Sequence, residues 1–175
     1  MVRVDIETVV MAGGPVPSVI VLRERTTASD DAAPRRALSI QTGAYEAAAV
    51  SRGIDHPEGD RPITHDLLLD VVDKLGARLE RVEIDRVDAP VFYATLVIRP
   101  DAAAEMDASD PAIRVDARPT DALALAVRAN APIFVEDDVM NRAGRLGSSA
   151  RSDRDDEAEI ERFDEFVKTL SPDDF

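Results

Sequence analysis

Residues 2–11, VRVDIETVVM, and 17–23, PSVIVLR, alternate or cluster apolar positions as half-buried strands do, with Gly13, Gly14 and Pro15 between them as a turn. Residues 26–36 are polar and aperiodic, a loop. ALSIQTG at 37–43 is a short strand ending at Gly43, and 44–52 is a compact helix that Gly53 is expected to stop. Residues 54–60, IDHPEGD, form a turn-rich loop. A clearer helix follows Pro62, with Thr64 placed to cap its start and Gly76 its end. Leu68, Val71, Val72 and Leu75 are spaced as its buried stripe. Strands at 78–87 and 91–99 join as a hairpin at Asp88-Ala89-Pro90, and the second, apolar on both faces, reads as central. After a loop at 100–111 come a strand at 112–117, a helix at 120–130 and a strand at 132–137.

Hairpin-linked strands interrupted by helices predict an α+β fold: a mixed, mostly antiparallel sheet packed with two to three helices, plus a C-terminal helix. The expected organisation is a domain over 1–140, a flexible linker over 141–156, and a helical tail over 157–175. In the tail Ile160, Phe163, Phe166, Val167 and Leu170 share one side.

Composition narrows the setting. Apolar residues make up 45% of the 175, with no run approaching a membrane span, and the first twelve residues do not read as a signal peptide. Cysteine is absent, which removes thiolate chemistry and suits a reducing cytoplasm, the expected location. The 21 basic residues face 35 acidic ones, a net charge of −14, and only Lys74 and Lys168 are lysines. Such an acidic, lysine-poor surface fits a salt-adapted, halophilic-type protein; a GC-rich genome yields the same bias. Either way, binding of nucleic acid through a broad basic patch is disfavoured, and a local arginine-lined site remains open.

The candidate chemistry lies in a short echo: RPITHDLLLDVV at 61–72 and RPTDALALAV at 118–127. Proline at helix entry, threonine as cap and aspartate in the first turn explain most of it as helix-start architecture. They do not explain Arg61 and Arg118. Beside exposed helix starts, these arginines would make an anion-accepting cleft if the two ends face each other. Asp66, Asp116 and Asp121 would line it, and carboxylates there are candidate ligands for a divalent metal. With Leu68 as the centre of the buried stripe, His65 lies about 60° from it and Asp66 about 160° away. That geometry rules out a His65–Asp66 dyad and puts Asp66 outward with Asp70 and Asp73. His65 is then either a structural histidine, bonded to Asp116, Asp121 or Glu46, or an acid or base in the cleft.

LSIQTGAYEAAAV, RPITHDLLLDVVDKLGARLERVEI, VFYATLVI and IRVDARPTDALALAVRANAPIFVEDDV, in this order and spacing, resemble the bifunctional nuclease domain family over roughly residues 3–140. The resemblance implies a compact α/β wedge that self-associates and cleaves DNA and RNA. Its motif positions here are Glu46, Arg61, Thr64, His65, Asp66, Asp116, Arg118, Thr120 and Asp121. IQTGAYE at 40–46 departs from the isoleucine-glycine pair common in the family, which shifts the small residues around Glu46. The tail at 157–175 resembles the short C-terminal helix of many prokaryotic members.

Together these readings expect a nuclease acting on DNA, RNA or both, with no membrane association, as a homo-oligomer, a dimer first of all. Arg61, Arg118, Thr64 and Thr120 would bind phosphate; Asp116 and Asp121 would hold Mg2+ or Mn2+. His65, Asp116, Asp121 and Glu46 are the catalytic candidates. The alternative is a non-catalytic anion-binding or regulatory oligomerisation module.

Overall fold

The computed structural model describes residues 1–13, 16–25, 35–55, 61–101 and 112–146. The expected turn at 14–15, most of the loops at 26–36, 54–60 and 100–111, and the tail helix lie outside the described residues. Eight strands form one sheet in the order β6-β5-β4-β7-β1-β2-β3-β8. They are β1 (Val2–Val10), β2 (Ser18–Glu24), β3 (Arg36–Thr42), β4 (Ala77–Asp88), β5 (Val91–Pro100), β6 (Ile113–Ala117), β7 (Ile133–Val135) and β8 (Arg145–Leu146). Among the described residues only the β4–β7 pairing is parallel. The helices are α1 (Ala44–Asp55), α2 (Thr64–Lys74), α3 (Pro119–Ala129) and α4 (Asp137–Ala143). None among the described residues is long and apolar enough to cross a membrane.

Register assigns the two faces of the sheet. Val4, Ile133, Val82, Leu96 and Val115 are paired in one row across five strands, so they share a face. On that face Leu79, Leu96, Ile98 and Val115 line an apolar cleft with Leu68, Leu69 and Val72 of α2 and Leu125 of α3. The next row, Arg3, Phe134, Glu83, Thr95 and Asp116, therefore points to the opposite face. There the buried Glu83 carboxylate is bonded by Arg81 (Nε, 2.6 Å) and Arg114, while Glu80 joins Arg81 to Arg99. Burial is the largest single influence on Glu83 and pushes its pKa up. The two guanidinium groups together outweigh it and hold the carboxyl below the usual glutamate range.

A depressed carboxylate contributes stability that is fully present at neutral pH and is lost as pH falls through its folded value. Glu83→Gln should therefore lower the melting temperature at pH 7 by roughly 4–8 °C, about 2 kcal/mol after allowing for the half-exposed Arg114. The gap to the wild type should close below about pH 4 in a thermal titration. A gap that persists unchanged at that pH would show that packing, not charge, carries the effect.

Four local expectations are corrected. Helix α1 runs through Gly53 to Asp55. Gly53 is buried against α3, where a Cβ would lie 2.5 Å from Arg128 Nη1 and Val127 Cγ2, so close helix packing requires the glycine. Neither threonine caps a helix: Ile63 and Arg118 occupy the cap positions, with Thr64 first in α2 and Thr120 buried in α3 behind Pro119. Asp66 performs the α2 capping, accepting from the Ile63 amide at 2.9 Å. Residues 141–146, expected as linker, complete α4 and form β8, which pairs with β3.

The fourth correction sets up the site. No residue of α2 is buried, and Leu67, Leu68, Val71 and Leu75 are exposed. The inward side carries His65, Asp66, Leu69 and Val72. Centring the helix on Leu69 instead of Leu68 rotates every side chain by about 100°. Polar bonds from His65 and Asp66 to α3 fix that rotation at the expense of the more apolar stripe.

Candidate functional site

The helix starts do meet, and there are three of them. Glu46 stands in the first turn of α1, His65 in that of α2, and Asp121 in that of α3, with Arg118 at the α3 cap position. His65 Nε2 lies 3.5 Å from Asp121 Oδ1. Arg118 donates from Nε to Asp121 Oδ2 at 2.7 Å and from Nη2 to Oδ1 at 3.1 Å, and its Nη1 reaches Glu46 Oε1 at 3.5 Å. Glu46 folds back over its own helix start, where a side chain on Gly43 would collide with its carboxylate.

Electrostatics favour the charged forms of Asp121 and Arg118. The Arg118 guanidinium holds the Asp121 carboxyl below the usual aspartate range, against an opposing effect of burial, and His65 adds to the lowering. Arg118 is raised in turn, chiefly by Asp121. His65 is largely enclosed, and its Nδ1 is buried without a partner among the described residues. Nε2 is thus the ring nitrogen available for proton exchange.

Behind this cluster sits an arginine that the motifs did not single out. The Arg128 side chain is 6% exposed. It donates from Nε to Asp66 at 2.6 Å, and from Nη1 to the carbonyls of Ala49 (2.9 Å) and Ala124 (2.7 Å). One side chain, from the last turn of α3, therefore ties the middle of α1 and the first turn of α2 to α3. Burial is the largest influence on Asp66, but the Ile63 amide and Arg128 together lower its pKa. The available signal was spacing: Asp121 and Arg128 are seven residues apart, on one face of α3. Asp66, expected outward, faces that side.

The remaining candidates separate. Asp116 belongs to the sheet row pointing away from the helices, so it does not join Asp121; strand alternation turns it from the face that Val115 shares with α2. Thr64 and Arg61 are exposed, and no described residue bonds to the Arg61 guanidinium. Among the described residues no group of three His, Asp or Glu side chains is placed to hold a metal ion. With Asp116 turned away and Glu46 and Asp121 both directed at Arg118, these side chains do not fit a resident divalent ion. What remains is an imidazole, two carboxylates and a guanidinium, 67% exposed, at a convergence of positive helix ends.

A family profile for the bifunctional nuclease domain matches residues 27–146. Two uncharacterized proteins of Mycobacterium tuberculosis, from strains CDC 1551 and H37Rv, are each 38% identical to the chain over 164 residues, covering 90% of it and 87% of the relative.

Proposed function

The chain belongs to the bifunctional nuclease domain family, and on that premise we propose that it hydrolyses phosphodiester bonds of DNA, RNA or both where its three helix starts meet. The observation that carries this reading is the convergence of His65, Asp121, Arg118 and Glu46 from three separate helices. A phosphodiester entering there competes with the two carboxylates for Arg118, whose exposure lets it swing onto the phosphate oxygens. Glu46, released, takes a proton from the attacking water. As the P–O bond to the leaving strand breaks, the imidazolium form of His65 gives its Nε2 proton to the departing oxygen. In doing so Nε2 turns from Asp121, which holds it beforehand and balances the charge of the ring. Solvent then returns the proton balance.

The test is cleavage of single-stranded DNA and RNA by the purified full chain, at low and molar salt, with Mg2+, Mn2+ or a chelator. Cleavage is expected. Its absence under every condition would instead favour an anion-binding module. One observation already points that way: each charged group of the cluster is paired internally.

For the protein partner we infer a second copy. Leu67, Leu68 and Val71 of α2, Leu75 just after it, and Ile113 and Val115 of β6 are exposed, Leu68 and Val115 line the apolar cleft, and β6 is the end strand of the sheet among the described residues. Two β6 edges can pair antiparallel about a two-fold axis and cover both stripes. Light scattering after gel filtration should show a dimer that Leu68→Asp with Val71→Asp converts to monomer. A wild-type monomer at both low and high salt would exclude this pairing.

A further inference from the structure

Four aromatic side chains stand among the described residues. Phe92, Tyr93 and Phe134 are partly buried, and Tyr93 also lies under the Arg86 guanidinium at 3.7 Å. Tyr45 is different: it is 92% exposed, on the rigid first turn of α1. It directly precedes Glu46, with Cα atoms about 3.8 Å apart. Ala47, Val50 and Gly53 mark the buried side of the helix. Successive side chains diverge by about 100°, so Glu46 leans inward to Arg118 while Tyr45 projects into solvent from the same turn. An exposed aromatic side chain therefore shares one helical turn with Glu46, a member of the cluster that can accept phosphate.

The charge of the chain makes such a ring consequential. At −14, long-range attraction and counterion release contribute little toward holding a polyanion. Affinity must come from short-range contacts that tolerate negative charge and salt. Stacking of a base on an aromatic face is one, and it is indifferent to which base is presented. A duplex keeps its base faces inside the stack, whereas a single strand leaves them free.

We propose that Tyr45 is a base-stacking platform that selects single-stranded substrate and sets the register of the scissile phosphate at Arg118. The inference rests on the phosphodiesterase reading above. Tyr45 takes no part in the chemistry; it acts through binding. Its ring anchors one base while Arg118 holds the adjoining phosphate, so loss of the ring should raise KM and leave kcat nearly unaltered.

The experiment uses the full chain and a fluorescent single strand of about eight nucleotides with uncleavable phosphorothioate links, beside an abasic strand of equal length and charge. Tyr45→Ala should weaken binding of the base-bearing strand about tenfold, and raise KM for a cleavable strand by a similar factor. Tyr45→Phe should retain wild-type affinity. On the abasic strand wild type and Tyr45→Ala should bind alike, a result that a merely structural role would not produce. If wild type cleaves but Tyr45→Ala binds within about twofold of it, or loses equally on the abasic strand, the stacking role is overturned and the phosphodiesterase reading stands. If wild type neither binds nor cleaves, both fall together.

Discussion

Arg128→Ala should lower the melting temperature by roughly 8–16 °C, corresponding to about 4 kcal/mol for a chain of this size. The side chain is almost wholly enclosed, and it satisfies one carboxylate and two carbonyls on three different helices. Its removal leaves the partly buried Asp66 charge without this guanidinium, and the Ala49 and Ala124 carbonyls keep only their backbone helix bonds. The fit is made tighter by Gly53, which leaves room for the guanidinium and nothing more. Arg128→Lys should recover only part of the loss, because one ammonium cannot serve the forked geometry. Circular dichroism melts at pH 7 would check this. A shift below about 2 °C for the alanine variant would mean that the three helices hold together without this clamp.

Asp121→Asn should reduce kcat for phosphodiester cleavage by about 100-fold or more, with little change in melting temperature. Asparagine keeps the shape of the side chain but removes the charge that holds Arg118 and faces His65 Nε2. Stability changes little because Arg118 is mostly exposed. His65→Ala should cost a comparable factor. The double variant should be scarcely worse than either single one, since groups acting as a unit lose their effect together. Asp121 is held ionised by a depressed pKa, so its contribution persists at neutral pH and disappears only as pH falls through its folded value. An Asp121→Asn variant that cleaves as well as wild type would remove this site assignment while leaving family membership untouched.

Strand periodicity and the two Arg-Pro helix entries announced most of the secondary structure, because a period of two and the punctuation of Pro and Gly are local properties. The hairpin between β4 and β5 and the left-handed Gly76 after α2 are examples. Family membership was equally legible, since it resides in residue order. The candidate site was only half legible. The motifs named Arg118, His65, Asp121 and Glu46, yet gave no sign that Asp116 would turn to the other side of the sheet.

Amphipathic spacing was misleading for α2. Its most apolar stripe lies outward because His65 and Asp66 are bonded to Asp121 and Arg128. Specific polar contacts, directional and enclosed, overrode a non-directional preference for burial, and the stripe was left exposed. By itself, then, the sequence determined most of the elements, though not α4 or β8, together with the family and the residues available for chemistry. Tertiary structure alone decided that three helix starts converge, that Arg128 ties the three helices together, and that Asp116 stands apart. Those facts depend on which faces meet, and a helix's rotation or a strand's register is set by partners distant in the chain.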